Sequence, residues 1–236
     1  MRLSFCGERV LAVVAHPDDA ELLCAGTLAR ARADDAAIAL CILCRGDRGG
    51  ATKRVQDLAA GRKQEVAAAA GLLGAELFLA GIGDGQLADV PAQRRRLIVI
   101  FRRFGPTLVL AHAPHDYHAD HRAASALAEA ASWFACSAGH RTRQRPLAEP
   151  PAVWWMDTVD MLGFDPGFYV DVTQHLPLKR EMLNCHGSQL ERGNDADFEP
   201  LQRLMLRQAA ARGAQAGVAA AEAFRIHNAW KRIRAW

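Results

Sequence analysis

Apolar and polar positions follow two different rhythms along this chain. Short apolar runs at 10–15, 36–44, 75–79, 107–112, 153–156 and 169–172 have the length and residue types of strands. Between most of them lie longer Ala-rich stretches with a helical period, at about 20–33, 56–73, 91–104 and 120–136, the third opened by Pro91 near its first turn. Strand and helix in alternation predict an α/β fold: a Rossmann-like, mostly parallel β-sheet flanked by helices on both faces, with an added C-terminal segment. The stretch SAGHRTRQRPLAEPP (137–151) breaks the rhythm with Pro and basic residues and reads as a surface excursion placed to cover or border a site. Residues 187–197 read as loop, a helix is expected from about Glu199 to Ala214, and no element is assigned to the last twenty residues. The organisation expected is one domain over 1–236, with a core of about 8–175 and a C-terminal helical extension of about 176–236.

Composition narrows the function classes. With 236 residues, half of them apolar, the chain can bury one large core. Its 29 Lys plus Arg nearly balance 26 Asp plus Glu, so no strong field recruits nucleic acid or an anionic membrane, and the expected partner is a small molecule. The basic runs Arg94–Arg96 and Arg102–Arg103 fall in a helical pattern and read as a solvated face. Six cysteines, mostly within apolar stretches, read as reduced thiols, and Cys41 and Cys44 are not taken as a metal pair, because a strand sends positions i and i+3 to opposite faces. No run has the roughly 18 apolar residues of a membrane span, and the N-terminus meets charge too early for a signal peptide, so the expected location is cytoplasmic.

Candidate chemistry gathers in two places. In AHPDDAEL, His16, Pro17, Asp18 and Asp19 stand where the first strand ends, which in an open parallel sheet is where ligands bind. Pro17 starts a turn, and consecutive carboxylates aim in different directions, so one can hold a metal while the other faces a reacting water. An Asp before the helical pattern could also be an N-cap, which accounts for only one of the two acids. The second cluster, AHAPHDYHADHRAA, holds His112, His115, His118 and His121, four of the nine histidines, after the strand-like TLVLA. His118 and His121 share a helical face at i, i+3, while Asp120 could set a ring tautomer.

Two histidines and a carboxylate leave coordination positions open for water and a substrate oxygen, as catalytic zinc requires, and a spare carboxylate beside that water would be the general base. Such a set suits hydrolysis of an unactivated amide. The same ligand face is shared with non-haem iron oxygenases, which the adjoining spare acid and the α/β pattern disfavour. GIGDG (81–85) lacks the third glycine of a dinucleotide loop and reads as a turn; Trp154 and Trp155 read as core and pocket wall.

AHPDDAEL together with HADH resembles the LmbE/PIG-L family of zinc-dependent N-acetylglucosaminyl deacetylases. CRGDRGG, GRKQE, LGAELFLAGIGDGQL, YVDVTQHLPLKREMLNCHGSQ and AEAFRIH extend the resemblance over nearly the whole chain. It implies that His16, Asp19 and His121 bind the metal, Zn2+ or else Fe2+ or another divalent transition metal. Asp18 becomes the general base, and His118, oriented by Asp120, the electrophile and proton donor. Arg62 and Asp84 match positions that hold substrate groups, and His186, Ser188 and Gln189 of CHGSQ match a segment near the site or a subunit contact, with His186 bordering the pocket. The implied substrate is an N-acetylated amino sugar or its conjugate. An amidase acting on another amide, such as a thiol conjugate, and a catalytically silent binding member of the fold are the alternatives. This sequence departs from familiar members at Ala20, where an acid is common, and at Asp116, which is not aromatic. The outer pocket wall is expected from loops near 45–55, 113–117 and 137–152, and homo-oligomerisation stays open.

Overall fold

The computed structural model describes residues 4–49, 55–190 and 200–228. Eight helices and seven strands follow in the order β1 (Arg9–Val14), α1 (Asp19–Leu23), α2 (Ala25–Ala33), β2 (Ala37–Cys44), α3 (Val55–Leu73), β3 (Glu76–Ile82), α4 (Pro91–Phe104), β4 (Leu108–Ala111), α5 (Ala119–Phe134), β5 (Ala152–Met156), β6 (Phe168–Asp171), α6 (Leu176–Asn184), α7 (Gly187–Leu190), α8 (Leu201–Ala216) and β7 (Ala221–Ile226), among the described residues. They build one mixed sheet in the order β3-β2-β1-β4-β5-β7-β6. Strands β1 to β5 pair in parallel, while β7 runs antiparallel to both β5 and β6.

Continuous apolar strands follow from cover on both faces. Val10, Ala12 and Val14 of β1 face one core with Leu22, Leu28, Val66, Met182 and Met205, whereas Leu11 and Val13 face a second with Leu97, Phe101 and Leu127. Helices α1–α3, α6 and α8 therefore cover one side and α4 and α5 the other. Pro91 enters α4 in its first turn, and Gly105 ends it at φ +69, a left-handed position that favours glycine.

The chain leaves β1 toward β2 on one side and later returns to β4 on the other. Their register sets Val13 opposite Ala111, so the loops after β1 and β4 begin side by side at the carboxyl edge of the sheet. Such a reversal of winding opens the crevice in which α/β folds bind ligands.

Several expectations change. The helix expected over 20–33 breaks at Cys24 (φ −148) into α1 and α2. The extension expected to be helical also supplies β7, inserted between β5 and β6; its AEAFRI pattern is too short to separate strand from helix by period alone. Gly187–Leu190, read as loop, forms α7, while 191–199 and the residues from 229 onward lie outside the described residues. Residues 137–151 join the end of α5 to the start of β5, so they sit at the opposite edge of the sheet from the β1 and β4 loops. They are held there by Arg102, which donates to the carbonyls of Ala135, Ser137 and His140 and to Thr142 Oγ1. Arg102 is thus buried, not part of a solvated face. Trp154 and Trp155 are both core; Trp154 packs edge-on against Phe5 and Phe168.

Candidate active site

His16 and Asp19 come from the turn after β1, and His112, Asp116, His118, Asp120 and His121 from the β4–α5 connection and the first turn of α5. The backbone N–H of His16 donates to Asp19 Oδ2 at 2.7 Å, which turns the chain back on itself after Pro17. Asp19 then lies at the centre: its Oδ2 is 3.4 Å from His16 Nδ1, and its Oδ1 is 3.4 Å from His121 Nε2. His112 stands behind it, fully buried, with Nε2 3.2 Å from Asp19 Oδ2 and 3.1 Å from the Ala15 amide nitrogen.

The surrounding groups select the ring tautomers. Asp120 Oδ2 accepts from Gly85 N–H and lies 3.2 Å from His16 Nε2, so the neutral His16 ring carries its proton on Nε2 and turns the Nδ1 lone pair toward Asp19. Asp116 Oδ1 lies 3.1 Å from His121 Nδ1, an ion-pair contact without hydrogen-bond geometry. His118 caps α5, with Nδ1 accepting from Asp120 N–H at 3.1 Å, so its neutral ring keeps a proton on Nε2. Asp120 thus touches His118 through its backbone amide, and its carboxylate serves His16 instead.

Electrostatics favour positive charge at this point. Burial alone would depress His16 and His121, yet the hydrogen bonds and charge of Asp19, joined by Asp116 at His121, raise them to about 9 and about 10. Asp19 is held well below the usual carboxylate range: burial opposes this, and the charge and hydrogen bond of His121 outweigh it. Burial and the His121 charge push His112 down to about 4, which keeps it neutral and able to accept from Ala15. Burial, followed by His121 and His16, lowers His118. Donor atoms for a divalent ion gather here. Around a tetrahedral cation with bonds of about 2.0–2.2 Å, adjacent ligand atoms stand roughly 3.3–3.6 Å apart, the spacing of each Asp19–His pair taken singly, since His16 faces Asp19 Oδ2 and His121 faces Oδ1. Among the described residues, His16–His118–His121 and Asp19–His112–His121 are groups whose donor atoms lie close enough together to hold an ion, and His16, Asp19 and His121 each belong to one or both.

The set opens on a cavity of about 840 Å3 lined by His16, Asp18, Asp19, Arg62, Asp84, His118, Asp120 and His121, with Leu22, Val159, Leu201 and Leu204 as an apolar wall. Asp18 makes no N-cap hydrogen bond, contrary to the secondary role open to it in the sequence. Its Oδ2 instead accepts from Gln189 Nε2 at 2.8 Å, and Arg62 fixes that amide by donating to Gln189 Oε1 at 2.5 Å. Arg62 thus reaches Asp18 through Gln189. Asp84 lines the cavity, but its oxygens accept from the amides of Gly46 and Arg48. His186 does not line it: the ring is fully buried, with Nε2 3.3 Å from Glu21 Oε1. Of the expected outer wall, Arg48, Gly49 and Tyr117 contribute, while Val159, Asp160 and α8 stand where 137–152 was expected.

The model of the GlcNAc-PI de-N-acetylases, PIG-L, matches residues 11–132, more than half of the chain. The chain belongs to the PIG-L family. Over 218 residues it is 28% identical to the 4-oxalmesaconate hydratase of Pseudomonas putida, covering 87% of this chain and 80% of that one. Its fold superposes on a conserved protein of Thermus thermophilus with a TM-score of 0.79 and 31% identity, over 96% of this chain and 100% of the other. The N,N'-diacetylchitobiose deacetylase of Pyrococcus horikoshii follows with a TM-score of 0.82 and 25% identity, over 93% and 84%. Similarity to PIG-L members thus reaches both a deacetylase and a hydratase. Among the described residues, no helix of this PIG-L chain is long and apolar enough to cross a membrane.

Residues that sequence reasoning left without a role are His112 and Asp116. Both lay in plain view in the histidine cluster, but their task depends on which ring nitrogen faces which oxygen. Gln189 was matched through CHGSQ to a segment near the site or a subunit contact, and the fold assigns its partner, Asp18, 171 positions away.

Proposed function

We propose that this protein is a metal-dependent hydrolase that removes the N-acetyl group from an N-acetylglucosamine-containing small molecule or conjugate. The observation that carries this reading is a carboxylate, Asp18, held at the wall of a cavity beside a separate His16–Asp19–His121 donor set. Zinc, the ion proposed for that set, supplies a lowered water pKa and a polarised carbonyl. Asp18 takes the proton of the attacking water, its second oxygen free because Gln189 engages only Oδ2. His118 presents an Nε2 proton to the carbonyl oxygen or to the leaving nitrogen, and the Asp120 amide prevents the ring from presenting the other nitrogen. Arg62 and Asp84 border the sugar, and Leu22, Val159, Leu201 and Leu204 receive the apolar part of an aglycone.

Screening N-acetylglucosamine conjugates for acetate tests the proposal: release is expected from at least one, is abolished by a chelator and is restored by zinc. No release from a broad panel by metal-replete protein refutes it. Replacing Gln189 with Leu removes one hydrogen bond to a charged group, worth about 1.5–3 kcal/mol, so kcat is expected to fall roughly ten- to a hundredfold with metal content unchanged. An unaltered kcat removes the Gln189 contact from the mechanism.

The match to a hydratase favours one second reading: water addition to an activated carbon–carbon double bond, with Asp18 again taking the water proton. Loss of ultraviolet absorbance from a conjugated unsaturated acid, without acetate release from any conjugate, selects it.

A further inference from the structure

Cys44 is a buried free thiol that the mechanism does not use. It ends β2, where the β2–β3 register shifts between Ile42 and Cys44, and Gly81, at φ +68 in the facing strand, accommodates the irregularity. Such bulges re-aim side chains beside active sites. Its backbone N–H donates to Ala15 O at 2.8 Å, which fastens it next to the β1 turn that carries His16. Sulfur, nitrogen and oxygen ligand atoms of Cys44, His16 and Asp120 all lie within 4.8 Å of one another. His16 presents a different nitrogen to each neighbour: Nδ1 to Asp19 at 3.4 Å, and Nε2 to Asp120 at 3.2 Å.

We propose that His16, Cys44 and Asp120 form a second cation site, joined to the His16–Asp19–His121 set through the two nitrogens of one imidazole, which takes a thiophilic divalent ion. Thiolate, imidazole and carboxylate together select zinc or cadmium over magnesium or calcium, which prefer oxygen. The 3.2 Å His16–Asp120 separation already matches neighbouring ligands on a tetrahedral ion, and the thiol completes the set from within 4.8 Å of both. Binding forms bonds to sulfur, nitrogen and oxygen and involves no redox change; the Cys44 thiol proton and the His16 Nε2 proton leave to solvent. His16 and Asp120 line the large cavity, and Cys44 lines a neighbouring apolar pocket with Pro17 and Arg62. Filling the site draws Asp120 from its two partners, the His16 ring and Gly85 N–H, so it perturbs the first set and inhibits turnover. The inhibition rests on the function proposed above; the binding does not.

The test titrates zinc-loaded protein with cadmium and reads equivalents bound, thiolate-to-cadmium ultraviolet absorption and acetate release. Wild type is expected to take up one equivalent beyond the first set, with the absorption band and loss of activity. Cys44→Ala is expected to keep the first equivalent and the basal rate while losing the second equivalent, the band and the inhibition. Cys6, Cys136 and Cys185 are the more accessible thiols, so the band is read as the difference between wild type and variant. Should Cys44→Ala not fold, Cys44→Ser is read in its place, and cadmium NMR of wild type is expected to show a sulfur-ligated resonance. A wild type that binds no further equivalent, or a Cys44 variant with the wild-type band and stoichiometry, overturns the proposal. Wild type that binds the second equivalent but releases no acetate from any conjugate before cadmium is added overturns the deacetylase reading and leaves the cation site standing.

Discussion

Asp18→Asn is expected to lower acetate release by about two to four orders of magnitude, the usual contribution of a positioned general base, while zinc content and substrate affinity stay near wild type. The substitution keeps the shape of the side chain and an oxygen to accept from Gln189 Nε2, which donates to Asp18 Oδ2 at 2.8 Å in the native protein. What is lost is the capacity to take a proton. His16, Asp19 and His121 keep their mutual spacing, because Asp18 is not among their contacts. The variant therefore separates a proton acceptor from a ligand: a fall in kcat with metal retained supports the assigned role, and metal loss places Asp18 among the ligands instead. A rate equal to wild type removes Asp18 from the chemistry altogether. The same variant separates an enzyme from a silent binding member of the fold, because binding alone does not need a base.

The largest effect on stability is expected far from the cavity, at Glu222→Gln. Glu222 on β7 and Lys179 on α6 are both buried, and Lys179 Nζ donates to Glu222 Oε1 at 2.6 Å and to Leu22 O at 2.9 Å. The carboxylate also accepts from Gly26 N–H at 2.9 Å and Thr27 N–H at 2.7 Å, which satisfies the first turn of α2. One side chain thus joins the late strand β7 to α2 and α6. A glutamine leaves the ammonium without its counter-charge and turns an NH2 toward groups that need an acceptor. Breaking a buried ion pair from one side costs about 3–5 kcal/mol, to be measured by urea unfolding. The double variant Lys179→Met with Glu222→Gln is expected to regain part of that loss, since the isolated charge is then gone. A single-variant cost below about 1 kcal/mol, the value of an ordinary surface pair, would show that the pair does not anchor the extension.

Much of the architecture was legible before any coordinates. Apolar runs alternating with Ala-rich helical stretches announced a parallel sheet covered on both sides, because strands without a polar face have nowhere else to go. The strand β7 was not legible, since AEAFRI mixes two charges with four apolar residues and finds its partners in β5 and β6 only through pairing remote in sequence. The 137–151 excursion was read correctly as irregular, but its position was not: chain connectivity sends it to the edge away from the site.

At the site, the sequence by itself determined which residues could do the chemistry, because side-chain type decides donor atoms and proton affinity: His16, Asp18 and Asp19 after one strand, and the histidine and aspartate cluster after another. Only the tertiary structure decided what they do to one another. The pairing of β1 with β4 sets two turns a hundred residues apart side by side, and Asp19 then lies between His16, His112 and His121. The His16 tautomer follows from that geometry, with Asp120 serving His16, Asp116 pairing in charge with His121 and Gln189 holding Asp18. A composition or a spacing carries no directions in space, and a hydrogen bond depends on direction and on a few tenths of an ångström.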